Sequence, residues 1–344
     1  MKYLKTNHLY NTKMLRRPLP CLINAANLMN FENFVVLLQP FLPQYIMTQE
    51  TTEHRAGFVN LIGNPNVGKS TLMNQLVGER LSIITAKAQT TRHRIKGIVD
   101  GDNFQIIYSD LPGILTPAYK MQEMMMKFVG ESLQDADLIL YLVECGETQY
   151  NEQVLTKLQK IDTPILLVFN KIDKATPEQI ELTERHWTAL LPQAETIRIS
   201  ALQGLNLDAL LQKIIEKLPV SPPYFPKDQL TDRPMRFFVS EIIREKILLL
   251  YKKEIPYSVE VVVDEYKEDE DIIRIMATLY VERDTQKGII IGHKGSSIKR
   301  LGMEARADLE EFLEKHVYLD LSVKVLKDWR NSDLIMKRFG YNPS

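Results

Sequence analysis

The stretch from Gly63 to Ser70, which reads Gly-Asn-Pro-Asn-Val-Gly-Lys-Ser, constrains the fold of this chain more than any other feature. It follows a short apolar run at residues 58–62 and precedes an apolar-periodic run that begins at Leu72, which is the context of a strand, a tight loop and a helix. Glycines let the backbone N–H groups of such a loop point inward, and the helix N-terminus adds partial positive charge. The sequence therefore predicts a phosphate-binding loop within an α/β fold.

The residue types around this loop predict a nucleoside triphosphate with Mg²⁺ as the ligand. Lys69 is expected to reach the β- and γ-phosphates, and the Ser70 hydroxyl is expected to bind Mg²⁺. Asp110 follows a predicted strand at residues 104–108 and supplies a carboxylate to the metal, while the Gly113 N–H can meet the γ-phosphate. The predicted contacts of these two loops are Gly63, Asn64, Pro65, Asn66, Val67, Gly68, Lys69, Ser70, Thr71, Asp110, Leu111, Pro112, Gly113 and Ile114.

A switch segment is expected between the two loops, at Gln89-Thr-Thr-Arg-His93. A threonine hydroxyl there would complete the metal shell only with the γ-phosphate present, so that hydrolysis releases the segment. Spacing does not decide between Thr90 and Thr91, and we favour Thr91, which with Lys69 and Gly113 forms the expected catalytic set. Residues 80–99 contain no acid, and we expect them either to face RNA or to counter the charge of the nucleotide.

The motif Asn170-Lys171-Ile172-Asp173 predicts guanine as the base. It ends an apolar run at residues 164–169, where parallel-sheet proteins place ligand-contacting loops. A carboxylate at Asp173 can accept hydrogen bonds from guanine N1–H and the N2 amine, whereas adenine offers neither donor there and would leave the charge unpaired. Ser200, Ala201 and Leu202 are expected to close over the base, and the nucleotide is therefore GTP or GDP rather than ATP.

Two residues refine the expected chemistry. Ile114 stands where many GTPases carry a glutamine that orients the attacking water, so we expect slow intrinsic turnover. The amide oxygen of Asn66 is a candidate ligand for K⁺ beside the phosphates, although Asn66 is equally consistent with a residue that only tolerates the loop conformation.

Composition sets the broad class of protein. The chain has 344 residues, 44% hydrophobic residues and a net charge of −1, which fit two soluble globular domains and do not by themselves indicate a nucleic-acid partner. Cys21 and Cys145 form no metal or disulfide pattern, so we expect a reducing cytoplasmic location. No apolar run approaches the ~20 residues that a membrane span needs.

Residues 1–54 do not match the rest of the chain, since they are basic, poor in acids and aperiodic. They are consistent with a transit peptide or a membrane-surface arm. We favour the alternative that an upstream start codon was read and that Met47 is the true first residue.

The remaining sequence predicts two domains. Strands and helices alternate over residues 55–217, the pattern of a doubly wound sheet. Five prolines then mark a linker at residues 218–235. Residues 236–344 predict a smaller α+β domain of order α-β-β-α-α-β, in which a Gly-x-x-Gly loop joins the two later helices, and this is the type II K-homology arrangement.

The second domain is expected to bind a single RNA strand. The loop glycines at 292 and 295 allow a sugar–phosphate run to approach the helix N-termini, and bases can then lie on an apolar groove. No acid occurs between Thr285 and Met303, and a local basic patch is sufficient for such binding. The expected RNA contacts are Lys287, Gly292, His293, Lys294, Gly295, Lys299 and Arg300.

Taken together, these ordered motifs resemble the bacterial Era family of GTPases. The segments Lys87-Ala-Gln-Thr-Thr-Arg-His-Arg94 and Ile291-Gly-His-Lys-Gly-Ser-Ser-Ile-Lys299 are similar to that family's pattern, and Leu111 departs from it where a threonine is usual. The resemblance implies binding to the 3′ end of 16S ribosomal RNA and assistance in assembly of the small ribosomal subunit. It also implies a cytoplasmic protein with some peripheral inner-membrane contact, and we expect a monomer.

Two other functions are compatible with parts of the sequence. The first is a signalling or membrane-associated GTPase whose second domain binds protein. The second is a metabolic ATP-dependent enzyme, against which Asp173 argues.

Overall fold

The structure is a computed structural model that describes residues 53–87 and 89–341. Residues 1–52, which include Cys21 and Met47 and nearly all of the expected N-terminal extension, lie outside the described residues. Among the described residues, every helix is too short or too polar to cross a membrane.

The first half of the described chain is a six-stranded sheet with helices on both faces, which confirms the expected α/β class. The strand order is β2-β3-β1-β4-β5-β6, and only β2 is antiparallel to its neighbour. The elements are β1 (Arg55–Gly63), α1 (Lys69–Val77), β2 (Ile95–Asp100), β3 (Phe104–Asp110), α2 (Lys120–Ser132), β4 (Leu138–Glu144), α3 (Glu152–Leu158), β5 (Ile165–Asn170), α4 (Pro177–Leu190), β6 (Glu195–Arg198) and α5 (Leu207–Lys217).

Alternate residues of the central strands supply two separate cores. On β4, Leu140 packs into the core on one face of the sheet, while Tyr141 packs into the core on the other face. A strand covered on both faces is nearly continuously apolar, which is why β4 and β5 are recognisable as apolar runs. The buried Asn60 interrupts the run of β1, and its amide is hydrogen-bonded to the carbonyl of Ser132. Strand β2 was not expected, because its sequence mixes Lys96 and Gly97 with apolar residues.

The proline-rich segment 218–234 forms no helix or strand beyond an isolated bridge between Val220 and Arg55. It is nevertheless fixed along β2. The Ile98 N–H donates to the carbonyl of Leu230 at 2.8 Å, and the Thr231 hydroxyl donates to the carbonyl of Lys96 at 2.7 Å. The segment is therefore attached to the first sheet rather than acting as a free spacer.

The second half has the expected order of elements around a three-stranded sheet. Strands β7 and β8 are antiparallel, whereas β8 and β9 are parallel. The elements are α6 (Met235–Leu250), α7 (Ile255–Ser258), β7 (Glu260–Glu268), β8 (Ile272–Val281), α8 (Asp284–Ile291), α9 (Ser296–Leu313), β9 (His316–Val325) and α10 (Asp333–Arg338). Apolar residues of α6 and α9, including Ile243, Leu301 and Leu309, pack with the inner sheet face, and this buries a single core.

A buried ion pair joins the two halves. The Arg92 guanidinium donates to Glu260 Oε2 at 3.0 Å, to the carbonyl of Val259 at 2.8 Å and to that of Pro256 at 2.9 Å. Both charged side chains are almost fully buried. The Tyr341 hydroxyl donates to the same Glu260 oxygen at 2.8 Å, so the carboxylate has two partners.

Cations of the acid-free segment at residues 80–99 contact the second half, and both expected roles of the segment stay predictions. Arg80 pairs with Glu245 of α6, the Lys87 ammonium donates to the carbonyl of Leu248, and the Arg92 pair lies beside them. Arg80, Lys87 and Arg92 thus contact acids and carbonyls of the second half. Those partners are distant in sequence, so the segment alone could not reveal them.

We expect that Glu260→Ala lowers the free energy of unfolding by about 3–5 kcal/mol, because it leaves the buried Arg92 charge unpaired. The measurement is urea denaturation of purified protein. The matched control is Glu304→Ala, which removes an exposed pair with Arg300 on α9 and should cost no more than about 0.5 kcal/mol. Equal effects of the two substitutions would contradict the interface described above.

Candidate functional site

The loop between β1 and α1 forms a tight cradle at the carboxyl edge of the sheet. Gly68 has φ +101°, and a Cβ atom there would lie 2.3 Å from Asn170 Nδ2. A Cβ atom on Gly113 would lie 2.8 Å from the backbone of Pro65. Side chains at either position would push neighbouring segments apart, so glycine is required at both for packing as well as for backbone approach to a ligand.

Lys69 is buried at the centre of this cradle. Its ammonium donates to the carbonyls of Gly63 at 3.0 Å and Asn64 at 2.8 Å. Burial lowers the pKa of Lys69 to about 8, while the carboxylates of Asp110 and Glu147 oppose this effect. The ammonium is therefore held in place by the loop backbone itself.

Three oxygen-bearing side chains predicted to bind the metal lie together. Ser70 Oγ donates to Asp110 Oδ2 at 2.6 Å and lies 3.1 Å from Thr91 Oγ1, which donates to the same carboxylate oxygen at 3.3 Å. Thr90 instead contacts Thr85 and the carbonyl of Lys87. The structure thus brings Thr91, and not Thr90, to the predicted metal position.

The chemistry of this cluster fits Mg²⁺. Asp110 Oδ1 is buried and has no hydrogen-bond partner among the described residues. Burial raises the pKa of Asp110, and hydrogen bonding from Ser70 and the charge of Lys69 oppose the rise. An oxygen-only donor set with an uncompensated carboxylate oxygen is the kind that a hard cation prefers.

On the side of the site where the base is expected, Asn170 is hydrogen-bonded to the phosphate loop and to the loop at residues 200–202. Its amide donates to the carbonyl of Val67 at 2.8 Å, and its oxygen accepts from the Ala201 N–H at 2.9 Å. Asp173 is exposed, and the Ser200 hydroxyl donates to its Oδ1 at 2.6 Å. Asn170 therefore positions the loops, and Asp173 is the side chain presented for recognition.

These loops enclose a cavity of about 370 Å³. Of the predicted contacts, its walls include Pro65, Asn66, Gly68, Lys69, Ser70, Thr71, Thr91, Gly113, Asn170, Lys171, Asp173, Ala201 and Leu202. Others lie behind the walls, since Leu111 and Ile114 are buried in the core. The sequence did not reveal Lys174 or residues 83–86, which also line the cavity, because they carry no motif of their own.

Two details bear on hydrolysis. Ile114 has no polar side-chain atom, and its N–H donates to the carbonyl of Gly63 at 3.1 Å. Asn66 is exposed, has φ +66°, and donates through Nδ2 to the carbonyl of Ala86 at 3.1 Å. Asn66 thus links the phosphate loop to Ala86, just before the expected switch segment, and it lines the cavity.

In the second half, the Gly-x-x-Gly loop has a backbone that needs glycine. Gly292 has φ +74° and Gly295 has φ +78°, and a Cβ atom at Gly292 would lie 2.2 Å from Ser297 Oγ. His293 and Lys294 between them are exposed, as are Lys299 and Arg300, while Lys287 is half-buried.

A groove of about 300 Å³ lies beside this loop. Its lining combines apolar and basic side chains: Ile298, Lys299, Gly302, Met303, Arg306, Leu319 and Leu321. The predicted apolar groove is therefore present, and Arg306 adds a cation that sequence analysis missed because it lies on α9 beyond the acid Glu304.

Comparison with known proteins agrees with this architecture. A family model described as a 50S ribosome-binding GTPase matches residues 58–171, and a KH-domain model matches residues 254–330. A crystal structure of a variant of Aquifex aeolicus Era bound to GDP·AlF4⁻ is 37% identical with a TM-score of 0.79. A structure of Era in complex with MgGDPNP and nucleotides 1506–1542 of 16S ribosomal RNA is also 37% identical, with a TM-score of 0.80. Each similarity covers 84% of this chain and 100% of the other.

The fold and the site define a P-loop GTPase joined to a KH-type domain. The extent of the similarity is decisive for the family, because it spans both domains in their full length and not the GTPase motifs alone. The chain belongs to the Era family of GTPases.

Proposed function

We propose that this chain binds GTP with Mg²⁺, hydrolyses it, and binds the 3′ end of 16S ribosomal RNA to assist assembly of the small ribosomal subunit. The observation that carries the proposal is the adjacency of Thr91 and Arg92: one lies in the metal cluster and the other is bound to the KH-type domain. Family membership and the RNA complex of a 37% identical Era support the choice of RNA.

In this proposal the chain's own residues hold the substrate by its charge. Ser70, Thr91 and Asp110 would hold Mg²⁺, which when bound supplies positive charge against the phosphate oxygens. The buried Lys69 ammonium would bind the β- and γ-phosphates, and the Gly113 N–H would bind the γ-phosphate. Lys69, Ser70, Thr91 and Gly113 line the same cavity, and Asp110 is hydrogen-bonded to Ser70. Groups that are already in place favour stabilisation of the charge that develops during hydrolysis.

Guanine would be read by Asp173, with Lys171 and Ile172 beside it and residues 200–202 above it. The bond from Ser200 to Asp173 Oδ1 orients the carboxylate. Asn170 would act through these loops rather than through the base. The apolar Ile114 cannot orient a water molecule, so turnover without a helper is expected to be slow.

We further propose that Asn66 contributes an oxygen to a K⁺ ion beside the phosphates. The bond from its Nδ2 to Ala86 fixes the amide plane and leaves the oxygen for a cation. A monovalent cation at this position would supply charge that an arginine supplies in other GTPases.

RNA would bind at the loop 292–295 and the adjoining groove. The Gly292 and Gly295 backbone would approach the sugar–phosphate chain, with Lys287, His293, Lys294, Lys299 and Arg300 around it. Bases would lie on the apolar floor formed by Ile298 and Leu321.

The binding of GTP and the binding of RNA would be coupled through residues 90–93. The Arg244 guanidinium of α6 donates to the Thr90 carbonyl, Arg92 binds Glu260, and the buried His93 ring packs 4.4 Å from the Tyr341 ring, centroid to centroid. A change in the metal contact of Thr91 would therefore displace groups that position the KH-type domain.

Other aspects of the proposal concern oligomeric state, location and domain limits. We propose a monomeric cytoplasmic protein with peripheral contact to the inner membrane, and domain limits at 55–217, 218–235 and 236–344. A core cluster centred on each sheet supports these limits, while Phe238 of α6 packs with the first cluster and a further cluster joins Met125 of α2 to Trp329 and Met336. A GTPase whose second domain binds protein is the alternative, and the RNA experiment below distinguishes it.

Asp173→Asn is expected to weaken GTP binding by about 10- to 100-fold, because the amide cannot accept two hydrogen bonds from guanine. The same variant should gain affinity for xanthosine triphosphate, whose 2-oxo group can accept from the amide. Competition against a fluorescent GDP analogue measures both effects. The control is Asp162→Asn, which changes an exposed carboxylate. Unchanged GTP affinity, or displacement by ATP as strong as by GTP, would contradict the assignment.

GTP hydrolysis is expected to be about tenfold or more faster in KCl than in NaCl of equal ionic strength, since a fitted cation offsets charge in the transition state. Asn66→Ala should remove the difference while still binding GDP. If the wild-type chain hydrolyses GTP equally fast in both salts, Asn66 has no such role.

Filter binding with a 3′-terminal 16S fragment tests the RNA assignment. We expect the double variant Gly292→Asp plus Gly295→Asp to bind at least about tenfold more weakly in the presence of GTP, because a side chain and a negative charge enter the loop. The double variant Lys294→Ala plus Lys299→Ala removes two exposed cations and preserves the backbone. It should lower the slope of log affinity against log salt by the amount expected for about two phosphate contacts.

The control for this experiment is Lys324→Ala, an exposed cation on β9 outside the proposed surface. A scrambled fragment of equal length tests sequence preference. The RNA assignment fails if wild type and both variants bind equally poorly with GTP present, and that result would favour the protein-binding alternative.

A further inference from the structure

The loop that follows β4 is firmly anchored to helix α4. The Gly146 N–H donates to the Thr183 hydroxyl at 2.8 Å, and the Trp187 indole N–H donates to the Glu147 carbonyl at 2.8 Å. Thr183 and Trp187 are both buried. Residues 145–151, here called the 145–151 loop, thus have a backbone fixed by two side chains of the core.

This loop binds the phosphate loop through a single side chain. The Asn64 amide donates one hydrogen bond to Glu147 Oε1 at 2.7 Å and another to the carbonyl of Gln149 at 2.9 Å. Both amide protons are therefore used. The backbone carbonyl of the same Asn64 accepts from the Lys69 ammonium at 2.8 Å. The 145–151 loop consequently reaches Lys69 through one residue.

The same loop is connected to the base side of the cavity. The Cys145 N–H donates to the Asn170 carbonyl at 3.1 Å, and the Asn170 side chain donates to the Val67 carbonyl at 2.8 Å. The phosphate loop is held at Asn64 and at Val67, and its two holders are bonded to each other. Such a closed ring fixes the loop in one conformation.

We propose that Asn64 and Glu147 are positioning residues for the phosphate half of the nucleotide site: together they hold the carbonyl that orients Lys69. This inference rests on the proposed function of the cavity. Glu147 is not in the cavity wall and belongs to no nucleotide motif, so its role is to act through Asn64. An acid so close to a phosphate site is otherwise unfavourable, and its bond to Asn64 explains its place there.

The benefit to binding is preorganisation. A loop whose peptide plane at Asn64 could reorient would have to be ordered when a nucleotide binds, and that entropic cost would reduce the affinity. Fixing Asn64 beforehand removes the cost and keeps the ammonium directed at the phosphates. The effect should therefore depend on the β-phosphate, which is the nearest group that Lys69 is proposed to contact.

The experiment measures the affinities of GDP and GMP by competition with a fluorescent GDP analogue, in EDTA so that no metal contributes. Glu147→Ala and Asn64→Ala should each weaken GDP binding about tenfold, the scale of one lost hydrogen bond to a charged group. The affinity of each variant for GMP, which lacks the β-phosphate, should fall by no more than about threefold. Glu147→Gln should bind GDP within about threefold of wild type, because its amide oxygen still accepts from Asn64.

Two further measurements make the test specific. The double variant Asn64→Ala plus Glu147→Ala should be no weaker than the weaker single variant, because both remove the same interaction. The control is Glu181→Ala, which removes an exposed carboxylate from the anchoring helix α4 and should leave GDP affinity unchanged. Thermal melts without nucleotide report whether each variant is folded.

The outcomes separate the two proposals. A wild-type chain that binds no guanine nucleotide overturns the proposed function itself. The positioning inference is wrong, while the function stands, if wild type binds GDP and the alanine variants bind it equally well. The same holds if the alanine variants lose as much affinity for GMP as for GDP. Failure of Glu147→Gln to restore affinity would also overturn it, because charge rather than the hydrogen bond would then be responsible.

Discussion

The structure depends on one buried cation, Arg92. Moving a guanidinium out of water is costly, and the cost is offset here by Glu260 and by two backbone carbonyls of the second half. Arg92 is adjacent in the chain to Thr91, whose side chain lies in the Ser70 and Asp110 cluster. Successive side chains of an extended segment point in opposite directions, so these two residues attach the same backbone to the nucleotide cavity on one side and to the KH-type domain on the other.

The contacts around Arg92 combine charged and aromatic groups. His93 is buried between the rings of Tyr341 and Phe237, and burial lowers its pKa to about 3, so the ring stays neutral at physiological pH. The neighbouring Glu241 pairs with Arg244, which in turn donates to the Thr90 carbonyl. A buried polar network tolerates few intermediate arrangements, because a half-made set of bonds leaves charges unpaired. Two discrete arrangements are therefore easier to reconcile with this interface than a continuous sliding motion.

How far the sequence predicted this molecule depended on how local each signal is. The phosphate loop and its glycines, the Asn170 to Asp173 motif and the order of elements in the second half are contained in short segments, and the fold class that they predicted is confirmed. The partners of Arg92 lie more than 160 residues away, and no sequence pattern near Arg92 indicates which residues they are. Glu147 was missed for a related reason, since its role depends on the anchoring of the loop by Thr183 and Trp187. Strand β2 was missed because an edge strand paired on one side need not be apolar.

The linker gives a second route between the two halves, and it meets the first on the same strand. Strand β2 continues directly from the segment that contains Thr91 and Arg92, and its outer edge carries Leu230 and Thr231 of residues 218–234. The Arg233 guanidinium also donates to the Arg94 carbonyl at 2.7 Å, at the point where the switch segment enters β2. A displacement of residues 90–94 would therefore act on the second half directly, through Glu260, and also through the start of α6, which the linker leads into. Both routes begin at one strand end, and a cluster of apolar side chains, in which Met121 and Met125 of α2 pack with Trp329 and Met336, joins the two halves elsewhere. The KH-type domain is therefore held by polar contacts beside β2 and by apolar contacts at α2.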